Sequence, residues 1–266
     1  FEKMNTTLII VNHDHTKSII ELINSIKKFP SFKNKNIIFI QNKKSEFIDQ
    51  SLKQFENIYL YNNGRIRGFA ENINFGIKKS IDLFNSDYFL ILNPDIIIKN
   101  DFLKQFIKIT ENNKKIGIIA PKLLNNDNSI QYSCRKFYNL KYIIWRMFRL
   151  SRIFSSKIED DILMVNSNRN KITKVDWVTG AVMFFSKAFI EKVDFFDENN
   201  FFMYAEDQDI CLRAWKKDFE VLYNPNGICV HGFERRGSSL KISKFSFYQL
   251  KSTFNLFRKH KFNLKY

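Results

Sequence analysis

The first half of the chain alternates short apolar runs with stretches whose apolar residues recur at helical spacing. Residues 19–26 and 73–84 carry apolar side chains three or four positions apart, as an amphipathic helix does. The apolar runs, which have the length of buried strands, are residues 7–11, 37–40, 58–61 and 88–92. Strands that alternate with helices imply right-handed crossover units. The pattern therefore predicts an α/β fold with a mainly parallel central sheet flanked by helices.

Polar side chains follow three of these predicted strands. Asn12 ends the first strand, Gln41 and Asn42 follow the second, and an Asn-Pro-Asp sequence ending at Asp95 follows the fourth. Ligands of open parallel sheets bind at the carboxyl ends of the strands. We therefore expect a ligand site along this edge.

The second half of the chain has a different pattern. Residues 141–154 plot as a helix with one apolar side, residues 155–173 are polar without periodicity, and order returns over 175–186 with a helix near Phe189. The polar stretch predicts a long loop. Because no repeat or flexible linker divides the sequence, we expect a single domain over 1–266. It would comprise a nucleotide-binding half at 1–125, a second half at 126–240 and a basic helical extension at 241–266.

Composition and charge narrow the class of protein. Hydrophobic residues make up 44% of the 266, which suffices for a core and excludes a disordered chain. The 43 Lys and Arg against 27 Asp and Glu leave a net charge of +16, which favours nucleic acid, acidic lipid or phosphorylated partners. The three cysteines have neither disulfide nor metal spacing, and no apolar run reaches the length of a membrane span. We therefore expect a cytoplasmic protein, soluble or peripheral at a membrane.

Asp95 and His231 are candidate metal ligands. A carboxylate held at a strand end can bind a divalent metal that also bridges phosphate oxygens, although an Asp at a strand end is more often a turn or capping residue. His231 follows the apolar run 228–230, and its imidazole suits a metal such as Mn²⁺. Arg236 nearby suits a diphosphate. A lone His is more often an ordinary surface or core residue, and His13 and His15 are interpreted that way.

The acidic stretch from Glu206 to Asp209 is a candidate catalytic site. Aromatic and aliphatic residues frame it on both sides, so desolvation could raise the pKa of a carboxyl toward that of a general base. Asp209 and Arg213 are four positions apart and would pair on a helix. The alternative is a solvated helix start, which the helix dipole favours.

In their order along nearly the whole chain, short motifs resemble family 2 glycosyltransferases, and within them the rhamnosyltransferase-like branch. Each motif is weak alone, and their order makes the resemblance specific. They are Val11-Asn12; Gly68-Phe69-Ala70 with Asn74 and Gly76; Leu92-Asn93-Pro94-Asp95; Asp176-Trp177-Val178-Thr179-Gly180-Ala181; Phe196-Asp197-Glu198; Phe202-Met203-Tyr204-Ala205-Glu206-Asp207-Gln208-Asp209 with Arg213; and Tyr223-Asn224-Pro225 leading to His231.

The resemblance implies a GT-A fold, a nucleotide-diphospho-sugar donor, a divalent metal (Mn²⁺ or Mg²⁺) and inverting transfer. It implies that Asp95 and His231 bind the metal, that Asp207 is the general base, and that Glu206 contacts the acceptor or orients the base. The loop containing Trp177, Thr179, Gly180 and Ala181 would line the donor sugar and the acceptor. The donor-binding residues would be Val11, Asn12, Gln41, Asn42, Gly68, Phe69, Asn74, Asn93, Asp95 and Arg236.

The rhamnosyltransferase-like branch implies transfer of L-rhamnose from dTDP-rhamnose. The acceptor would be a hydroxyl of a bacterial surface glycan such as O-antigen, capsule or cell-wall polysaccharide, presented as a glycan or a lipid-linked oligosaccharide. A UDP-hexose or UDP-galactofuranose donor stays open, because enzymes that use those donors carry closely similar motifs.

Two positions depart from the family pattern. Gln41-Asn42 stands where the family commonly has Asp-Asn, so a Gln carbonyl would accept the pyrimidine N3–H without charge assistance. Ile66 stands where the family usually has Asn, and Asn63 lies nearby. Both departures concern donor recognition more than catalysis.

Other classes of function remain to be weighed. Residues 241–265 interleave basic and aromatic side chains, as a nucleic-acid-binding protein would, but they contain no recognisable binding motif, and we expect no nucleic-acid partner. A glycoside hydrolase would use paired carboxylates, yet it leaves Asp95 unexplained. The basic side of residues 141–157, with Arg146, Arg149 and Arg152, is either a solvated helix edge or a contact with anionic lipid. That contact would lie on the inner face of the bacterial inner membrane.

Overall fold

The computed structural model describes residues 5–13, 17–138, 142, 156–232 and 244–266. Apart from residue 142, the helix expected over 141–154 lies outside the described residues, as do its three arginines and Arg236. The strands are β1 (Thr6–Asn12), β2 (Asn36–Gln41), β3 (Ile58–Asn62), β4 (Tyr88–Leu92), β5 (Ile96–Ile98), β6 (Ile116–Leu124), β7 (Cys134–Arg135), β8 (Thr173–Lys174), β9 (Trp177–Val178), β10 (Val182–Ser186) and β11 (Glu220–His231). The helices are α1 (Lys17–Lys28), α2 (Pro30–Lys33), α3 (Glu46–Lys53), α4 (Phe69–Phe84), α5 (Leu103–Asn112), α6 (Ser156–Ile162), α7 (Lys187–Val193), α8 (Glu206–Lys216) and α9 (Lys244–Lys259).

One large sheet organises the described chain, in the order β3-β2-β1-β4-β10-β6-β11-β5. The strands β3, β2, β1 and β4 run parallel, as the alternating pattern predicts. β10 is antiparallel to both of its neighbours, and β11 runs parallel to β6. The α/β prediction is therefore confirmed, with a sheet that is parallel in its first half and mixed beyond β4. Because β10 lies between β4 and β6, the two halves of the sequence share one sheet.

The buried side chains form a layer on each face of the sheet. α1, α2 and α5 cover one face through residues such as Ile23, Phe32 and Phe106. α4, α7 and α8 cover the other face. α4 lies so close to the sheet that a Cβ on Gly76 would approach Ile9 Cγ2 to 2.6 Å, so only glycine fits there.

The loop expected over residues 155–173 is only partly a loop. Residues 156–162 form α6, where the prediction of irregular structure was wrong. α6 has no continuous apolar face, since Ile158 is exposed whereas Ile162 is buried. Its helical period was therefore not visible in the sequence. Among the described residues, no helix is long and apolar enough to cross a bilayer.

Candidate active site

The chain brings Asp95 and His231 together at one edge of the sheet. Asp95 lies just before β5, and His231 ends β11, where the antiparallel pairing sets it opposite Ile96. The His231 Nε2 atom lies 3.3 Å from Asp95 Oδ1, and the Gly232 N–H donates to the Asp95 carbonyl oxygen over 2.9 Å. Both side chains keep a small exposed fraction, 12% for Asp95 and 8% for His231, so a ligand can reach them.

Gln131 orients His231, and the sequence patterns did not identify it. His231 Nδ1 lies 2.8 Å from Gln131 Oε1, and Gln131 Nε2 donates to Asn125 Oδ1 over 3.1 Å. Because the amide nitrogen already donates to Asn125, the amide oxygen faces the imidazole and accepts a hydrogen bond from its Nδ1–H. Nε2 is then the ring nitrogen that faces Asp95. This arrangement is the one that a metal-binding imidazole requires.

The catalytic candidates Glu206 and Asp207 occupy the first turn of α8. The two residues before them, Tyr204 (φ 70°) and Ala205 (φ 66°), both have left-handed backbone conformations. Such a conformation costs a side-chain-bearing residue about 1–2 kcal/mol and persists only where the surroundings impose it. One such contact is the Phe69 N–H, which donates to the Phe202 carbonyl oxygen over 2.8 Å. The strain therefore lies directly before the two carboxylates.

Backbone amides stabilise the negative charge of Asp207. The Gly180 N–H donates to Oδ2 over 3.0 Å, and the Gln208 N–H donates to Oδ1 over 2.8 Å. Burial raises the pKa of Asp207 above its ordinary value, while these two hydrogen bonds and the charge of Arg135 limit the rise. The Arg135 guanidinium also lies over the Trp177 ring, 5.1 Å from its centroid. Arg135 is a second residue that the sequence patterns did not identify.

Glu206 lies in a different environment from Asp207. It is buried, and within the described part of the chain its Oε2 atom has no hydrogen-bond partner. Burial, then the adjacent charge of Asp207, then that of Asp209, raise the pKa of Glu206 well above its ordinary value. Because two amides and Arg135 stabilise the anion at Asp207, this pair favours the negative charge on Asp207 over the negative charge on Glu206. The two carboxyls can therefore play different roles at the same pH.

A short path of contacts connects the carboxylate pair with the Asp95–His231 pair. Asp207 binds the backbone of Gly180, and the next residue, Ala181, accepts a hydrogen bond from the Asn93 N–H over 2.9 Å. Asn93 lies two positions before Asp95. The loop of Trp177, Thr179, Gly180 and Ala181 thus lies between the two pairs. The Phe69 ring packs below Gly180, 3.3 Å from the point where a Cβ would stand.

Gln41 is fully buried at the carboxyl end of β2. Its Nε2 atom donates to Asp49 Oδ1 over 2.6 Å and to Asn62 Oδ1 over 2.9 Å. The Oε1 atom has no hydrogen-bond partner among the described residues. Asp49 is a third residue absent from the sequence-based set, and it places a carboxylate beside the position where the family commonly has Asp.

Other donor-site candidates hold backbone segments in place. Asn42 Oδ1 accepts from Asn63 Nδ2, Asn72 Nδ2 and the Arg67 N–H, at 2.9, 3.1 and 3.0 Å, and so fixes the loop before α4. The Asn63 side chain is thus hydrogen-bonded to Asn42 and does not take the place of a side chain at position 66. Asn74 binds both the N–H and the carbonyl oxygen of Phe196.

The remaining candidates lie at the same edge or in the core beside it. Gly68 packs against the Phe202 backbone, where a Cβ would meet the carbonyl oxygen at 2.5 Å. Val11 and Asn12 are buried at the end of β1, and Thr179 binds the Ser133 carbonyl oxygen through its N–H over 2.9 Å. Trp177 is buried and donates to the Lys136 carbonyl oxygen over 3.1 Å.

Asp209, the last acidic residue of the stretch, is fully buried and faces away from Asp207 toward α9. It pairs with Arg213 over 2.8 Å, as the four-residue spacing predicts, and with Lys259 and His260 of the C-terminal segment, each over 2.8 Å. Asp209 therefore anchors α9 to α8. The alternative that the sequence also allowed, a solvated helix start, does not hold for Asp209, because its side chain is buried.

Two curated proteins match most of the chain. It is 30% identical over 252 residues to the rhamnosyltransferase WbbL of Escherichia coli (strain K12), covering 93% of this chain and 90% of that protein. It is 23% identical over 215 residues to the low-salt glycan biosynthesis hexosyltransferase Agl10 of Haloferax volcanii, covering 81% of this chain and 63% of that protein, which is under two thirds of its length.

Solved structures share the fold at low sequence identity. One is GalNAc-T7 with UDP, GalNAc and Mn²⁺, at TM-score 0.71 and 14% identity, covering 97% of this chain and 50% of that one. Another is the mannosyltransferase PcManGT of Pyrobaculum calidifontis with GDP-Man and Mn²⁺, at TM-score 0.62 and 13% identity, covering 97% and 64%. The family model described as glycosyl transferase family 2 matches residues 7–179. The chain is a glycosyltransferase that belongs to glycosyl transferase family 2.

Proposed function

We propose that the enzyme transfers a sugar from a nucleoside-diphosphate donor to an acceptor hydroxyl with inversion, by a single displacement. The observation that carries the proposal is the placement of Asp207. Its carboxylate binds Gly180, and the same loop connects through Ala181 and Asn93 to the Asp95–His231 pair. In this proposal, the base Asp207 and the phosphate-binding pair Asp95–His231 stand on the two sides of one loop. An in-line displacement requires such an arrangement, with the base and the leaving group on opposite sides of the sugar.

In this mechanism, Asp207 takes the proton from the acceptor hydroxyl. The raised pKa makes it a stronger base than an exposed carboxylate, and general base catalysis typically contributes about 10²–10⁴ in rate. Glu206, which carries the proton of the pair, orients the acceptor by donating a hydrogen bond. One carboxylate base suffices for an inverting displacement, so no nucleophilic carboxylate is needed.

Asp95 and His231 fit a divalent cation. One oxygen and one nitrogen ligand side by side suit Mn²⁺, and diphosphate oxygens and water would complete its coordination. Among the described residues no cluster of three or more metal-ligating side chains is found, and in this proposal the donor contributes further ligands. When bound, the metal would neutralise the charge that develops on the leaving diphosphate. Mg²⁺ is the alternative.

For the donor, we propose dTDP-rhamnose, with the acceptor a hydroxyl on a bacterial surface glycan or its lipid-linked precursor. The proposal is supported by the relation to WbbL, which is a rhamnosyltransferase and matches along 93% of the chain. Gln41 Oε1, which has no hydrogen-bond partner among the described residues, would accept the N3–H of a thymine or uracil, while Asp49 polarises its amide. Three further donor-site candidates would contribute indirectly, by fixing the backbone segments that line the donor site: Asn42, Asn74 and Gly68. A UDP-hexose or UDP-galactofuranose is the alternative donor.

The test is a screen of nucleotide sugars for transfer and for slow donor hydrolysis, with and without Mn²⁺. We expect dTDP-rhamnose to be consumed fastest, chelation to abolish turnover, and Asp207→Asn to lower transfer at least about 10²-fold while donor binding stays within about twofold. Asp82→Asn, an exposed carboxylate on α4, is the matched control and should leave both unchanged. Turnover without any divalent ion, or full activity in Asp207→Asn, contradicts the mechanism. A preference for a UDP-sugar contradicts only the donor.

A further inference from the structure

α9 carries apolar side chains both on a buried face and on an exposed face. The inner face, with Ser252, Leu256 and Phe257, is buried against the segment 197–205 and against α8. The outer face carries Phe247, Leu250 and Phe254, which are exposed to 63%, 46% and 56%. Their spacing of three and four residues puts them on one stripe of the helix. A helix on the surface of a soluble domain normally presents polar residues there, and an exposed apolar stripe marks an interaction surface.

The charge around this stripe has a single sign. Residues 244–266 contain no Asp or Glu. The helical period places Lys251 and Arg258 beside Phe247 and Phe254, and both are exposed, as are Lys261 and Lys265. None of these four cations pairs with a carboxylate among the residues described, in contrast to Lys259, which is held by Asp197 and Asp209. Phe262, also half exposed, extends the apolar patch next to Phe254.

We propose that the outer face of α9, defined as Phe247, Leu250, Phe254, Lys251 and Arg258, docks the enzyme on an anionic lipid bilayer. Aromatic and aliphatic side chains enter the interface between headgroups and acyl chains, while adjacent cations contact anionic headgroups. A second copy of this chain fits less well, because the same cationic patch and a net charge of +16 would repel it. Nucleic acid would satisfy the cations but would leave Leu250 and part of the apolar stripe uncovered.

The helix that carries the docking face also contacts the segment that leads into the catalytic pair. Ser252 Oγ donates to the Met203 carbonyl oxygen over 2.7 Å, and Asn255 Nδ2 donates to the Asn200 carbonyl oxygen over 2.8 Å. The Tyr248 ring lies 5.1 Å from that of Phe202. The acceptor side of the site would therefore face the bilayer, which suits an acceptor carried on a lipid. This last step rests on the proposed function, whereas the docking face itself does not.

The experiment is flotation of the full chain with vesicles of phosphatidylcholine, alone or with about a third phosphatidylglycerol. We expect binding to the anionic vesicles that is weakened at least about tenfold by Phe247→Gln, Leu250→Gln and Phe254→Gln together. Lys251→Gln with Arg258→Gln should weaken it about 25-fold, at about fivefold per cation. The matched controls are Phe47→Gln with Leu83→Gln, exposed on α3 and α4, and Lys104→Gln with Lys108→Gln on α5. The controls should bind like the wild type.

Three outcomes overturn the proposal. The first is absence of binding to anionic vesicles, and the second is binding that the outer-face variants leave unchanged while thermal melting shows them folded. The third is that vesicles are not bound and the outer face serves another partner. In that case the outer-face variants would abolish a dimer seen in sedimentation, or would abolish binding of single-stranded nucleic acid at physiological salt. Transfer to a water-soluble acceptor separates this proposal from the previous one. The outer-face variants should keep that activity, and Asp207→Asn should lose it while still binding vesicles.

Discussion

Removing the charge of Asp209 tests whether buried ion pairs anchor α9. Asp209 is completely inaccessible and contacts Arg213, Lys259 and His260. Burial alone would raise its pKa, but the hydrogen bond from His260 and the charges of Arg213 and Lys259 outweigh burial and lower the pKa to about 2. The substitution Asp209→Asn keeps the shape of the side chain and removes the charge.

The size of the effect follows from that pKa. Against an unfolded value of about 3.9, a folded value of about 2 corresponds to about 2.6 kcal/mol of stability at neutral pH. Arg213, Lys259 and His260 would each lose one charged partner, which adds to this, and breaking a buried pair typically costs about 3–5 kcal/mol. At about 2–4 °C per kcal/mol for a domain of about this size, a cost of about 3–5 kcal/mol should lower the melting temperature by about 6–20 °C.

The dependence on pH distinguishes this explanation from a loss of packing. Because the folded pKa is lowered, the stabilisation is fully present above about pH 4 and is lost as pH falls from about 3.9 toward 2. Thermal unfolding of wild type and Asp209→Asn between pH 7 and pH 3 measures it, with Asp82→Asn as the control, expected to change stability by less than about 0.5 kcal/mol. Equal melting temperatures at pH 7 would refute the reasoning. So would a difference that stays constant from pH 5 to pH 3.

Three further predictions concern the site. Arg135→Met removes a cation that lowers the pKa of Asp207, so the acidic limb of the kcat/KM profile should move to higher pH; an unmoved limb would count against Asp207 as the titrating base. Gln131→Met removes the hydrogen bond that orients the His231 imidazole and should weaken Mn²⁺ binding about 10–100-fold, measured by paramagnetic resonance titration without donor. An unchanged affinity would contradict metal binding by Asp95 and His231. Gly68→Ala puts a Cβ 2.5 Å from a backbone carbonyl oxygen and should cost about 1–3 kcal/mol in urea unfolding, whereas a neutral result would show that the loop can shift.

The local elements of this protein were predictable because each leaves a periodic signal in the sequence. The run 88–92 predicted β4 with the same limits, and the apolar residues of 19–26 predicted α1. The place and direction of β10 in the sheet were not predictable. A short strand buried on both faces has the same composition whether it runs parallel or antiparallel to its neighbours. α6 was missed because it lacks an apolar stripe.

The candidate site shows the same division between local and long-range information. Residue type and motif order identified Asp95, Asp207 and His231 as candidates, since a carboxylate at a strand end or an acidic stretch in an apolar frame is visible locally. Gln131 and Arg135 carry no such signal, because a polar residue in a connecting segment resembles many others. Their roles arise only from contacts across the fold.

By itself, the sequence determined the class of fold, the family and the residue types available for chemistry, because these depend on composition, period and order along the chain. Only the tertiary structure decided which of those residues meet and how the surroundings of the two carboxyls differ. Glu206 and Asp207 are neighbours with nearly identical chemistry. Their difference comes from two backbone amides that donate to Asp207, from the charge of Arg135, and from a buried Glu206 oxygen that has no hydrogen-bond partner among the described residues. Desolvation and the direction of hydrogen bonds are properties of the packed molecule, and no stretch of sequence contains them.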